Sequence, residues 1–268
     1  MHKRQSPNHS EYDELSTQNN RPVQKSIIDS LYARTSLRSF SDQPVTPEDE
    51  RIILESACQA PTAGNQQLYS IVVVRDQSKK EALAESCDHQ PFIAQAPLVL
   101  VFCADVRRWY RAFCLQEGCH PRKPGVGDAL LACVDAVAAA QNAVVATEAL
   151  GLGSCYIGDI LENCETQRDI LDIPEYVMPC CMLVIGHPRQ LQPRKAKPPR
   201  FNLESIVFED SYRDAADTEL MEAIAFKLHG RTETLSAFCE RKWNSDFSRE
   251  MTRSVAQWLK GFPYSEQS

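Results

Sequence analysis

The chain has 268 residues, 43% of them hydrophobic and 24% charged, with a formal net charge of −7. This composition is typical of a globular protein with a sizeable core. The acidic balance argues against nucleic acid or an anionic membrane as the main partner, since both favour a basic surface. The first residues lack the apolar segment of a signal peptide, so we expect no export, and we expect no membrane-spanning segment.

The eleven cysteines contain no CxxC pair, and the six histidines show no ligand spacing. Paired close spacing is the usual sign of a metal site, and a chain of this size does not need a disulfide framework. We therefore expect reduced, mostly structural thiols, no metal site and a cytoplasmic protein.

Hydrophobic periodicity and turn residues predict most elements directly. The first half of the chain is predicted to contain a flexible lead-in over 1–24, a helix over 24–34, a helix that begins with Thr46 and Pro47, a strand over 70–75 that is buried on both faces, and a short helix over 79–86. A second strand over 97–103 is followed by an irregular aromatic excursion over 104–127. The longest helix, over 128–150, is capped by Gly151 and is followed by a third strand over 180–185 and a helical C-terminal arm.

The segment Arg34-Thr35-Ser36-Leu37-Arg38 places two guanidiniums and two hydroxyls within five residues. On a helical turn Arg34 and Arg38 would share a face. Their forks and the hydroxyls would then converge on one phosphate. A basic surface turn explains the segment equally well.

Two further segments are rich in glycine or small residues. In residues 61–67 small residues allow a close backbone approach, and the amides of Asn65 and Gln67 suit a planar heterocycle; an ordinary turn is the alternative. Residues 150–159 follow a helix rather than a strand, so they are not a dinucleotide fingerprint. The basic, proline-rich connector over 193–200 reads by default as a solvated linker.

In this order and spacing, these segments resemble the nitroreductase/flavin reductase family, specifically its larger NADPH-preferring branch. Residues 134–142 and 205–212 add to a match over about 25–213. The resemblance implies an α+β, three-layer fold with a central mixed, mainly antiparallel sheet flanked by helices. It also implies an intertwined homodimer, in which the arm over 214–268 packs on the same domain or on the partner.

The implied function is that of an FMN-dependent NAD(P)H oxidoreductase: a nitroreductase, or a flavin or quinone reductase. It would work by ping-pong hydride transfer through flavin N5, with NADPH as donor and NADH as the alternative. Nitroaromatics, quinones and flavins are the implied acceptors. A flavin-cleaving or dehalogenating relative, or a flavin-binding protein without turnover, is the alternative reading.

The resemblance also implies the cofactor-binding residues. The phosphate would be held by Arg34, Thr35, Ser36, Arg38 and Arg200. The ring and ribityl chain would be contacted by Thr62, Asn65, Gln67, Tyr156, Ile157 and Gly158, with the Gly158 backbone N–H as donor to N5. Lys197 stands one residue before the position of the family's lysine, and Arg231 is a candidate for the NADPH 2′-phosphate. No catalytic side chain is expected, because the cofactor carries the chemistry.

Overall fold

The structure is a computed structural model that describes residues 27–189, 197–229 and 232–262. The predicted lead-in over 1–24 and the candidate Arg231 lie outside these ranges. The chain divides into two units, Met1–Arg34 and Thr35–Ser268. Of the first unit, the structure describes helix α1, Ile27–Ala33, which has no buried residue. Its predicted apolar face is exposed at Ile27, Ile28, Leu31 and Tyr32.

The second unit contains a four-stranded sheet and the remaining helices. The strands are β1 Tyr69–Val73, β2 Leu98–Asp105, β3 Gly153–Ile157 and β4 Val177–Gly186. The helices are α2 Pro47–Cys58, α3 Gln77–Ser86, α4 Phe92–Gln95, α5 Arg107–Leu115, α6 Val126–Ala149, α7 Cys164–Leu171, α8 Asp217–Leu228, α9 Leu235–Lys242 and α10 Asp246–Leu259. Short 3₁₀ turns lie at Ala63–Asn65, Asp159–Leu161 and Leu203–Ser205.

The sheet has the strand order β1-β2-β4-β3, so β1 and β3 are its edges. All three pairings in the described chain are antiparallel. The predicted α+β class and mainly antiparallel sheet are therefore confirmed, with no parallel pair in the part described. Strand β2 is buried along its whole length, whereas β1 is mostly half-buried. The prediction that β1 is buried on both faces is wrong, because an edge strand is covered less completely.

Alternate residues of β2 belong to two separate cores, which makes the three layers visible. Val99, Val101 and Cys103 join one cluster, and Leu98, Leu100 and Phe102 join the other. This alternation follows from the two-residue period of a strand. The first cluster includes residues of α3, α4 and α10, whereas the second includes residues of α2 and α6.

Helix α6 is the longest helix, as predicted, and Gly151 follows it at φ 74°. Its alanines Ala136, Ala139, Ala140 and Ala143 are fully buried against the sheet. By length and composition alone α6 could also cross a membrane, which corrects the expectation that no segment would qualify. Half of its most apolar stretch is buried inside the protein, and a buried core helix passes the same test.

Helix α6 also carries an exposed apolar stripe. Leu130, Leu131, Val134 and Val137 are each at least 44% exposed. Positions 130, 134 and 137 share one face of a helix. Nothing in the described part of the chain covers this face.

Two segments differ from the sequence predictions. Residues 107–115 form helix α5 rather than an irregular excursion; the Asp105 carboxylate accepts a hydrogen bond from the Arg108 N–H (3.2 Å) at its start. The glycine-rich segment after α6 is not a free loop, because residues 153–157 pair with β4 as strand β3. The C-terminal part of the chain contains α8, α9 and α10, of which α10 contributes Trp258 to the core. The division of the chain at residue 214 stays a prediction.

Candidate functional site

Residues 35–41, which we call the strap, run in extended form beside β3 and the end of β4. The Leu37 N–H donates to the Ser154 carbonyl and the Ser41 N–H to the His187 carbonyl, both at 2.9 Å. The Leu37 side chain fills the space beside Gly153, where an added Cβ would lie 2.6 Å from Leu37 Cδ2. The strap backbone is therefore held by the sheet, and the expected helical turn through Arg34 and Arg38 is wrong.

The strap presents cationic and hydroxyl groups without carboxylate partners. Ser36 and Arg38 are exposed, and Thr35 is half-buried. The Arg38 guanidinium lies 5.9 Å from the Phe92 ring centroid, and no described acid forms an ion pair with it. Such an unneutralised guanidinium is suited to binding a phosphate.

Two polar atoms beside the strap are buried, and the sequence predicts no role for either of them. Ser154 Oγ and His187 Nε2 are both buried without a hydrogen-bond partner. They belong to the two residues whose carbonyls hold the strap. An unsatisfied buried polar group costs free energy, so these two atoms are unfavourable features of the fold.

The end of β3 offers an open backbone surface. Gly158 is exposed, and a Cβ built on it would meet no atom within 4 Å. Its carbonyl accepts from the Leu161 N–H at 3.0 Å, which begins the 3₁₀ turn. The Ile157 side chain is 2% exposed and belongs to the core, so only its backbone can meet a ligand. The Tyr156 hydroxyl donates to Gln141 Oε1 at 3.3 Å.

A second group of predicted residues forms the turn over 62–67. Thr62 Oγ1 accepts from the Gln67 N–H at 3.3 Å, which closes the turn. Gly64, Asn65 and Gln67 have φ values of 55°, 55° and 52°. Left-handed conformations are costly for residues with a Cβ, so the turn needs support from its surroundings. The side chains of Asn65 and Gln67 are exposed and free to meet a ligand.

That support comes from Asp135 on α6, which is 3% exposed. Its two carboxylate oxygens accept from the Ala63 N–H at 3.0 Å and from the Leu68 N–H at 3.1 Å. Charge-assisted bonds of this kind are about twice as strong as neutral ones. Asp135 is thus the positioning residue of the turn. Asp135 lies in the segment 134–142 that adds to the family resemblance, but the resemblance implies no role for it.

Helix α5 packs against the same turn and forms an aromatic cleft with it. Trp109 Nε1 donates to the Gln66 carbonyl at 2.7 Å, and the Trp109 and Phe113 ring centroids are 5.6 Å apart. The cleft has a volume of about 420 Å³ and includes Tyr110, His120 and Leu131 in its lining. At its edge Arg122 is paired with Asp128 at 2.6 Å, which leaves the cleft without a net charge.

The turn over 62–67 and the Gly158 surface lie at opposite edges of the sheet. The turn leads into β1 and Gly158 follows β3, which are separated by two strands. Three inter-strand spacings amount to about 14 Å. One chain therefore brings the turn, Asp135 and α5 together and holds them apart from Gly158. The strap contacts β3 at Ser154, four residues before Gly158.

The predicted basic residues Lys197 and Arg200 lie on the segment that begins at residue 197. The carbonyl of Pro199 accepts from Lys227 Nζ on α8 at 2.5 Å. Arg200 is exposed and makes no ion pair with a described residue, and Lys197 is half-buried. Their assignment to a phosphate site stays a prediction.

Three deeply buried cysteines carry unreactive thiols. All eleven cysteines are free in the structure. Burial raises the pKa of Cys87, Cys103 and Cys181 to about 12. Such thiols stay protonated and unreactive. No group of three or more metal-binding side chains occurs in the described ranges.

Comparison with known proteins identifies a family that matches this chain. The family model described as "Nitroreductase family" matches residues 31–187. The FMN reductase [NAD(P)H] of Bacillus subtilis is 32% identical over 89% of this chain and 92% of its own. The oxygen-insensitive NADPH nitroreductase of Salmonella typhimurium is 34% identical over 69% and 74%. The NADPH:FMN oxidoreductase of Vibrio harveyi, solved with NAD+, shares the fold at 24% identity, with a TM-score of 0.75 over 87% of this chain and 97% of its own.

Proposed function

Because the chain belongs to the nitroreductase family, we propose that it is an FMN-dependent NAD(P)H oxidoreductase acting on small aromatic acceptors in the cytoplasm. Relatives at 32% and 34% identity are named for FMN reduction and for NADPH-dependent nitro reduction. The observation that supports the proposal is a pair of exposed surfaces at the two edges of the sheet. One, the first half-site, is the strap with the Arg38 guanidinium, which pairs with no described acid, and the other, the second half-site, is a turn with two exposed amides beside an aromatic cleft.

The residues of the first half-site fit the phosphate and ring of FMN. Arg38 and Ser36, with Arg34, would hold the phosphate through charge-assisted hydrogen bonds. The open surface at Gly158 would let the flat ring approach the backbone, with the Gly158 N–H as a donor. FMN, when bound, supplies the hydride chemistry between NAD(P)H and the acceptor in a ping-pong cycle. The protein's part is to bind, orient and exclude water.

The second half-site is suited to complete the first one in a homodimer. Its amides at Asn65 and Gln67 stand too far from Gly158 in one chain to share a ligand easily. A partner's turn would bring them to the ring. The exposed stripe on α6, Leu130 to Val137, supports this arrangement, because exposed apolar patches of this kind mark protein interfaces. The exposed apolar face of α1 adds a second such surface.

The aromatic cleft would then receive the acceptor. Trp109 and Phe113 present two rings, and offset aromatic stacking favours planar partners. The pairing of Arg122 with Asp128 leaves no net charge to select an anionic acceptor. Nitroaromatics and quinones match this surface better than a phosphate-bearing flavin does.

The test is the anaerobic visible spectrum of the purified protein after reconstitution with FMN, before and after NADPH is added. We expect a protein-bound flavin band that bleaches on mixing and returns when a naphthoquinone is added. A bound flavin that NADPH and NADH both leave unbleached would reject the oxidoreductase. Protein that retains no FMN would reject the flavin site itself.

A further inference from the structure

Glu162 is a buried acid close to the Gly158 surface that the proposed function leaves unused. It is 5% exposed, and its Oε1 has no hydrogen-bond partner. It directly follows the 3₁₀ turn Asp159–Leu161, and its N–H donates to the Asp159 carbonyl at 3.0 Å. The residue therefore closes the turn that Gly158 begins.

The turn around Glu162 is fixed on every other side. Gln90 Nε2 donates to Asp159 Oδ2 at 2.6 Å, and the Asn163 side chain donates to the Ser86 carbonyl at 2.8 Å. From α10, Glu250 accepts from the Asn163 N–H at 3.1 Å and Ser254 accepts from the Cys164 N–H at 2.9 Å. These contacts hold the backbone of the turn in the closed form, in which the carboxyl of Glu162 is buried.

The groups around Glu162 make a negative charge there unfavourable. Burial is the largest cause that raises the pKa of its carboxyl to about 7. The nearby negative charges that raise it further are, in decreasing order, those of Asp159, Asp88 and Glu250. On the packed elements, Cys87 after α3 stays a neutral thiol, Glu165 on α7 is paired with Arg253, and Arg253 on α10 also holds Glu250.

We propose that Glu162 is a positioning residue that must carry a proton for the turn after Gly158 to stay closed. In the closed turn the neutral carboxyl is buried; when the proton is released to water, the charged carboxylate draws toward solvent and the turn opens. A carboxyl whose pKa is higher in the closed than in the open form favours closure at low pH and loses that effect as pH rises through about 7. Since the proposed function places the flavin ring at Gly158, FMN binding should weaken over the same range.

The first experiment needs no flavin. Amide hydrogen exchange of the full chain is followed at pH 6.0 and pH 8.5 and corrected for the intrinsic effect of pH. Residues 161–164 should exchange at least about fivefold faster at pH 8.5, because the open form gains population as Glu162 ionises. In Glu162→Gln, which cannot ionise, the ratio should stay near one. Glu55→Gln, an exposed glutamate paired with Arg51 on α2, is the matched control and should behave as wild type.

The second experiment measures the dissociation constant of FMN by fluorescence quenching over the same range. If only the closed turn binds, the constant rises by up to about tenfold between pH 6 and pH 8.5 in the wild type. Glu162→Gln should remove that rise. The FMN phosphate, with a second pKa of about 6, titrates equally in every variant, so the difference between variants isolates Glu162.

The outcomes are separable. If Glu162→Gln keeps the wild-type pH dependence in both assays, or weakens binding by the same factor at each pH, the proposal is wrong and Glu162 is only structural. If no variant binds FMN, the proposed function fails, while the exchange experiment still decides the role of Glu162.

Discussion

Asp135 offers the sharpest test of how the structure builds the turn over 62–67. Asp135→Ala removes the acceptor of two N–H groups, those of Ala63 and Leu68, at 3.0 and 3.1 Å. Hydrogen bonds to a charged acceptor contribute about 1.5 to 3 kcal/mol each. The free energy of unfolding should therefore fall by about 3 to 6 kcal/mol, a large share of the ~5 to 15 kcal/mol typical of a folded protein.

Asp135→Asn separates charge from geometry. The amide oxygen of the variant still accepts one hydrogen bond, whereas its NH2 group faces the second backbone N–H and cannot accept from it. We therefore expect the free energy of unfolding to fall by about 2 to 3 kcal/mol. Urea unfolding followed by tryptophan fluorescence measures both variants, and Asp169→Asn, an exposed acid on α7, is the matched control. FMN should also bind more weakly, because Gly64, Asn65 and Gln67 lose the support of their left-handed conformations.

A clear result would refute this reasoning. If Asp135→Ala loses less than about 1 kcal/mol at an unchanged m-value, the two N–H groups have found other partners. If it loses stability but binds FMN as the wild type does, the turn is not part of the flavin site.

Three further predictions concern the flavin and acceptor sites. Arg38→Ala should weaken FMN binding by about 1.5 to 3 kcal/mol, measured by fluorescence titration, because a charge-assisted bond to the phosphate is lost; unchanged affinity would remove Arg38 from the site. Trp109→Ala should raise the KM for a naphthoquinone about tenfold while flavin reduction by NADPH stays the same, with Trp243→Ala, 79% exposed, as control. Cys155→Ala should leave turnover intact at normal FMN content, and a large loss of rate would show that this buried thiol takes part.

The sequence predicts what depends on local pattern. Thr46 and Pro47 begin α2 as expected, and Thr46 Oγ1 accepts from the Asp49 N–H at 3.0 Å. The apolar period of α6 and the left-handed Gly151 are local signals as well. The motifs in register give the family, and with it the fold class.

The features that the sequence does not predict depend on contacts between segments that are far apart in the chain. The form of the strap is set by Leu37 against Gly153, which lie more than a hundred positions apart. The role of Asp135 depends on N–H groups about seventy residues earlier in the chain. Strand β3 reads as a glycine loop until β4 pairs with it. The prolines and glycines of residues 118–127 are typical of irregular structure. They favour an irregular prediction for the whole of 104–127, which includes the residues that form α5.

The placement of the two half-sites at opposite edges of one sheet has a genetic consequence. In the proposed dimer, each flavin would draw its phosphate-binding strap from one chain and its amide turn from the other. A chain with a defective strap and a chain with a defective turn would each be inactive alone. Mixed together, they would form dimers with one wholly defective site and one wholly intact site. Two inactive alleles of this protein would thus complement each other, reaching half of the normal activity per mixed dimer.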